Sequence, residues 1–120
     1  MYHRFEENKY PSTNIKLEDF KSQINLIEKY KYKFISHDEF ESSISEKNLE
    51  KKILLTIDDG FSSFYENAWP ILKEKKIPFI IFINTETVGS RGYMDWSQTK
   101  KISEYDFGHI GNHSHTHEYL

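Results

Sequence analysis

Lys52–Gly60 reads KILLTIDDG, and Asn112–His117 reads NHSHTH. In the first stretch, Ile53–Ile57 carries no charge and is made of leucine and β-branched residues, the composition of a strand covered on both faces. It stops on Asp58 and Asp59, with Gly60 ready to turn the chain. In parallel α/β folds functional groups gather at the carboxyl ends of strands, and this pair of carboxylates stands at such an end. The second stretch supplies His113 and His117 at i and i+4. That spacing puts both rings on one side of a helix, and lets both reach one ion even from a tight loop. A carboxylate with two imidazoles completes the protein shell of a catalytic zinc whose fourth position stays open. Two carboxylates side by side can also divide the work, one binding metal and one ionised as a general base.

Each half has a plainer reading on its own. Asp-Gly after a strand is also the chemistry of a turn with a helix cap. Three histidines in six residues also suit a solvated polar segment, since short motifs match by chance. His115 falls on the opposite side of a helix from the other two and is left out of the shell. Ser114 and Thr116 can hold the loop through side-chain to backbone hydrogen bonds. His3 and His109 read as surface groups before hydrogen-bond donors to the ligands, and His37, after a helix cap, as solvent-facing. Trp69, Trp96 and the phenylalanines read as core.

Working outward, Met1–Phe5 fits the tail of a strand, and Glu6–Asn14, with Pro11, Ser12, Thr13 and Asn14, is loop chemistry. Leu17, Phe20, Ile24, Ile27 and Tyr30 follow helical spacing, which predicts an amphipathic helix over about 16–30. Tyr32, Phe34 and Ile35 suggest a short strand. Ser36 with Glu39 forms a capping box that opens a short helix through Phe40 and Ile44. Ser45–Lys51 is a polar surface connection. After the carboxylates, Ser63 and Glu66 suggest a second capping box, with a helix to about Lys75 that Pro70 interrupts and can kink. Phe79–Ile83 is a second fully apolar strand, Thr85–Met94 a loop, Trp96–Ile102 a short helix and Asp106–Ile110 a last strand that Gly111–His117 leaves. Strands separated by helices imply parallel βα units with right-handed crossovers.

The bulk properties limit the function classes. At 120 residues the chain is one domain or part of one, and a chain of this length buries roughly two-thirds of its unfolded surface. Sixteen basic against nineteen acidic side chains give a net charge of −3 without a block of one sign, so charge does not argue for nucleic acid or an anionic membrane. The aromatic content of 16% argues against disorder. There is no cysteine, which excludes disulfides and thiolate chemistry without fixing the compartment. No apolar run approaches the ~20 residues of a membrane span. MYHRFEEN lacks the pattern of a signal peptide, so the localisation stays open between the cytoplasm and export by a segment not included.

Thr56–Gly89, TIDDGFSSFYENAWPILKEKKIPFIIFINTETVG, resembles the core of the polysaccharide deacetylase family, carbohydrate esterase family four with its NodB-type domain. Gly111–Leu120, GNHSHTHEYL, resembles that family's histidine motif, H-S/T-x-x-H, and Tyr2–Phe5, YHRF, resembles the start of the domain. The resemblance covers essentially the whole chain, and two motifs in order make it specific. It implies the fold of an irregular (β/α) barrel with fewer than eight strands. It implies Asp58 as catalytic base, Asp59, His113 and His117 as ligands of one divalent metal ion, usually zinc, and Ser114 as the residue that steadies the histidine loop. Cobalt, nickel or iron would also suit this donor set. The implied activity is hydrolytic removal of N-acetyl groups, or O-acetyl groups in some branches, from a carbohydrate polymer such as an N-acetylglucosamine polysaccharide or peptidoglycan of the cell wall.

Ile57 stands where the family more commonly has phenylalanine. The family's later motifs, an arginine loop, an Asp-Trp pair and a Leu-x-His with the general acid, fall after the second histidine. A barrel of this kind runs to roughly 200 residues or more. The expectation is therefore the N-terminal part of a deacetylase domain, with base and metal shell but no acid, whose open sheet edge invites pairing and which is either stabilised by self-association or inactive as a monomer. The alternatives are a non-catalytic metal-binding fragment, and a deformylase or deacetylase of a small or lipid-linked sugar.

Overall fold

The computed structural model describes residues 1–47 and 50–118. The apolar run before the carboxylates is divided between two sheets. β4 (Lys52–Ile53) pairs in parallel with β3 (Lys33–Phe34), and β5 (Leu55–Ile57) joins the central sheet. That sheet is parallel with order β5-β6-β7, where β6 is Phe79–Ile83 and β7 is Gly108–Asn112. Leu55 pairs with Phe79, and Phe79 in turn with Gly108, so the three carboxyl ends finish level at Ile57, Ile81 and Ile110 before β6 and β7 run on. A third, two-stranded parallel sheet joins β1 (Arg4–Phe5) to β2 (Asn14–Ile15), and Tyr2 bridges to Ile57. β6 is the most buried strand, as its unbroken FIIFI pattern requires, whereas β7 is half exposed along its free side.

Helices cover this sheet. α1 (Leu17–Lys29) buries Phe20 and Ile24 and leaves Leu26 and Tyr30 in solvent. α2 (His37–Ser45) starts where expected, with the Ser36 hydroxyl oxygen accepting the Glu39 N–H at 3.2 Å, but only this half of the expected capping box forms, since the Glu39 carboxylate accepts from Lys33 Nζ at 2.8 Å instead. Phe5, Phe20, Phe64, Phe79 and Trp69 interlock in edge-on and tilted pairs at centroid distances of 5.0–5.8 Å and form the centre of the core.

Four expectations are corrected. Ser63 caps no helix: its hydroxyl accepts the Phe5 N–H at 3.2 Å, and Phe64–Ala68 is a π-helical turn. Pro70 then sits in the first turn of α3 (Trp69–Lys75), where its missing N–H costs nothing, so it starts a helix rather than kinking one. Trp96, unlike Trp69, is 59% exposed at the start of α4 (Trp96–Ser103), which is opened by a capping box between Asp95 and Gln98. The last strand extends two residues further than expected, to Asn112, because it pairs with β6 as far as Ile83. The surface connection expected over Ser45–Lys51 lies partly outside the described residues.

Candidate metal centre

The two carboxylates leave β5 in opposite circumstances. Asp58 is buried, its N–H donating to Tyr2 O at 2.8 Å, so the amino-terminal segment fixes its backbone. Its Oδ2 lies 3.8 Å from His3 Nε2. Asp59 has φ of +74° and Gly60 φ of +72°, which turns the chain sharply out of the sheet. A non-glycine residue in the left-handed region carries strain that the surroundings must hold, and aspartate tolerates it better than most. Met94 N–H donates to Gly60 O at 2.9 Å and so braces this turn from the loop before α4.

His113 and His117 sit in an irregular loop rather than a helix. β6 passes beyond its own end to clamp that loop. His113 N–H donates to Ile83 O at 3.0 Å, Thr85 N–H to Ser114 O at 3.3 Å, and Glu86 N–H to His115 O at 3.2 Å. The buried Asn84 amide donates to His113 O at 2.7 Å. Ser114 and His117 both have positive φ, 68° and 57°, and the Ser114 hydroxyl accepts the His117 N–H at 3.0 Å. His115 is drawn aside to Thr85, whose hydroxyl lies 2.8 Å from its Nδ1.

This brings Asp59, His113 and His117 together. Asp59 Oδ1 lies 3.4 Å from Nε2 of each imidazole, and one donor atom from each of the three residues lies within 4.8 Å of the others. Asp59 Oδ1 is buried and accepts no hydrogen bond among the described residues. Leaving a buried acceptor unsatisfied costs about 1–3 kcal/mol, more for a charged one. The spacing of 3.4 Å is long for a hydrogen bond. It matches the edge of a tetrahedron whose ligands stand about 2.1 Å from a shared cation. With neutral imidazoles the three atoms form a donor set, and the residues present therefore fit a metal ion. His113 and His117 remain 33% and 49% exposed while Asp59 is only 15% exposed, so the cluster opens to solvent on its histidine side. An open side is what a water-binding metal needs and a purely structural one lacks.

Sequence reasoning missed Asn84 and Thr85, whose signal was their position directly after the apolar strand. For His3 it preferred a surface group over a donor to the site; the structure sets its Nε2 3.8 Å from Asp58 Oδ2, in favour of the second reading. His109 stacks on His37, with parallel rings 4.6 Å apart, away from the cluster.

The sequence model of the family described as Polysaccharide deacetylase matches residues 45–120. Among curated proteins, the poly-beta-1,6-N-acetyl-D-glucosamine N-deacetylase of Staphylococcus epidermidis is 30% identical over 105 residues, and that of Staphylococcus aureus 34% over 103. These matches take in 84% and 82% of this chain but 36% of either relative, so the chain spans about a third of their length. Among solved structures, IcaB from Ammonifex degensii superposes with a TM-score of 0.85 at 30% identity, over 93% of this chain and 50% of that one. The Streptococcus pyogenes deacetylase PplD, in complex with acetate, has a TM-score of 0.84 over 98% and 56%, and at 24% identity it speaks for the fold alone. Parallel α/β architecture matching half of a deacetylase domain agrees with part of a (β/α) barrel. With the Asp/His/His cluster in place, the chain belongs to the polysaccharide deacetylase family.

Proposed function

We propose that these residues form the base-and-metal portion of a hydrolase that removes N-acetyl groups from an N-acetylglucosamine polymer. The observation that carries the reading is the buried Asp59 Oδ1, without a hydrogen bond among the described residues and 3.4 Å from two imidazole nitrogens. In this reading Asp59, His113 and His117 hold one divalent ion, with zinc the first choice on donor chemistry. The ion when bound supplies a Lewis acid that polarises the amide carbonyl and makes a water acidic. In this reading Asp58, buried and next to Asp59 in the sequence, takes the proton of the attacking water. Tyr2, through its carbonyl, and His3 hold Asp58 in place, and Ser114 keeps His117 turned inward. Both the polymer and the amide bond are suggested by the printed activity of the staphylococcal relatives.

The chain's coverage of about half of the solved IcaB supports reading it as a portion of such a domain. The proton donor for the leaving amine is then expected outside these residues, and a monomer of them alone should not turn over. The first test is metal content of the purified protein beside an Asp59→Ala variant. Close to one equivalent in the parent and little in the variant is expected. Equal metal in both would remove Asp59 from the shell, and acetate release by a monodisperse monomer would overturn the partial-domain reading.

A further inference from the structure

Next to the carboxylate turn lies a second concavity that the metal cluster does not use. It is a cleft of about 550 Å³, within the size range of small-ligand sites. One wall is β1 and the loop after it, with Arg4, Lys9 and Tyr10; the other is Phe61 with Arg91 and Tyr93. The walls are built onto the catalytic turn. Phe61 follows Gly60 directly and pairs antiparallel with Tyr93, their rings 4.8 Å apart, and Ser62 N–H donates to Gly92 O at 2.9 Å. Arg4 is only two residues from Tyr2, whose carbonyl holds Asp58.

The charges in the cleft have different duties. The Arg4 guanidinium lies 3.5 Å from the centre of the Phe61 ring and 4.3 Å from that of Tyr10, and pairs with Glu7 at 3.0 Å. Its charge is spent on holding the floor of the cleft. Lys9 and Arg91 stand exposed on opposite walls, and among the described residues neither has an ion-pair partner. Of the cleft's three cations, Arg4 is neutralised by Glu7, which leaves Lys9 and Arg91 without an acidic partner among the described residues. Burial pushes the Tyr93 phenol above its usual pKa, an effect Arg4 opposes and Asp59 reinforces. The phenol therefore stays a hydrogen-bond donor within the electrostatic reach of Asp59.

We propose that this cleft is a glycan subsite that takes an anionic substituent, a carboxylate or phosphate, on a sugar near the one whose amide is hydrolysed. Tyr10 and Tyr93 offer flat faces to a sugar ring, and Arg91 and Lys9 close on its oxyanion from either side. The inference rests on the deacetylase reading for the identity of the ligand as a glycan. Its selectivity follows from the cleft alone.

The test compares binding of two β-1,6-linked N-acetylglucosamine tetramers, one fully N-acetylated and one in which a single N-acetyl group is replaced by N-succinyl, with inorganic phosphate as the free-anion control. Titration is followed by amide chemical shifts of the intact protein. The succinylated tetramer should bind about fivefold tighter than the neutral one, as two partly exposed charge contacts allow, with shifts centred on Tyr10 and Arg91–Tyr93. The preference should shrink with added salt and vanish in the Lys9→Gln/Arg91→Gln double variant, which leaves metal content unchanged. Equal binding of both tetramers by the parent, or a preference that survives in the double variant, would overturn the proposal. Phosphate binding as tightly as the succinylated tetramer would overturn its glycan part. These readouts use neither metal nor turnover, so their failure is distinguishable from a failure of the deacetylase assignment.

Discussion

Ser114 Oγ accepts the His117 N–H at 3.0 Å, and this hydrogen bond closes a loop in which both residues hold a positive φ. Without it, the left-handed conformation at His117 loses a local restraint, and the imidazole must be ordered by the metal itself. Ser114→Ala should therefore weaken metal affinity by about tenfold, the lower end of what outer-shell partners contribute, with an unchanged circular dichroism spectrum. Ser114→Asn should restore most of it, because asparagine accepts the same bond and tolerates positive φ. Equal affinity in all three proteins would show that the loop needs no such brace.

If Asp59 holds the proposed metal ion, stability and function are opposed at this residue. Its Oδ1 is buried without a hydrogen bond among the described residues, a cost of about 1–3 kcal/mol that a bound cation would remove. Asp59→Asn keeps the shape, suits φ of +74° and discards the charge. The metal-free variant should melt at the same temperature as the parent or a few degrees higher, and should lose the metal-induced gain. That gain should approach 3 kcal/mol in the parent at roughly a hundredfold excess over the dissociation constant. A metal-free variant clearly less stable than the parent would mean that Asp59 is satisfied in some other way.

Local signals and long-range partners explain which parts of this structure were legible in the sequence. The FIIFI run, the helical spacing of Phe20 and Ile24, and the Ser36–Glu39 cap are decided within a few residues, and they appear where the sequence put them. The Ser63–Glu66 pair carries the same local signal, yet Ser63 turns instead to the Phe5 N–H, a partner 58 residues away. The carboxylate pair and the histidine pair were each legible as motifs. What joins them is the parallel pairing of β5, β6 and β7, which finishes their carboxyl ends side by side. Asn84 was not legible, because its part depends on that same pairing: only once β7 lies beside β6 does His113 O come within reach of its amide.

Tyr2 ties the alkaline limit of stability to the position of Asp58. Burial raises its pKa above the ordinary tyrosine value of 10.0, and its hydroxyl donates to Gln23 Oε1. In the unfolded chain the phenol loses its proton first, so above that point the native state holds more protons and stability falls with rising pH. The contribution is whole below pH 10.0 and is lost as pH climbs through the raised native value. Urea melts from about pH 9 to 11 should show this decline, and Tyr2→Phe should flatten it, leaving the smaller slope that Tyr93 supplies. At neutral pH the variant should be about 1 kcal/mol less stable for want of the hydrogen bond. An equally steep decline in Tyr2→Phe would assign it to other groups.

The free side of β7 is the part of the surface least suited to solvent. β7 pairs with β6 alone among the described strands, and Trp96, 59% exposed, stands with Ile110 and Gly111 along a shallow cleft at that edge. An unpaired edge next to an exposed indole offers both hydrogen bonds and apolar area to a second copy of the chain. The protein should self-associate in sedimentation velocity as its concentration rises through the micromolar range. Trp96→Glu should weaken association by about tenfold, since an exposed tryptophan at a contact is often its main anchor. The substitution should leave the fold intact, because an acidic side chain suits the first turn of α4 beside the Asp95 cap. A parent that stays monomeric throughout would show that the edge is already protected by its half-exposed polar residues His109 and Asn112.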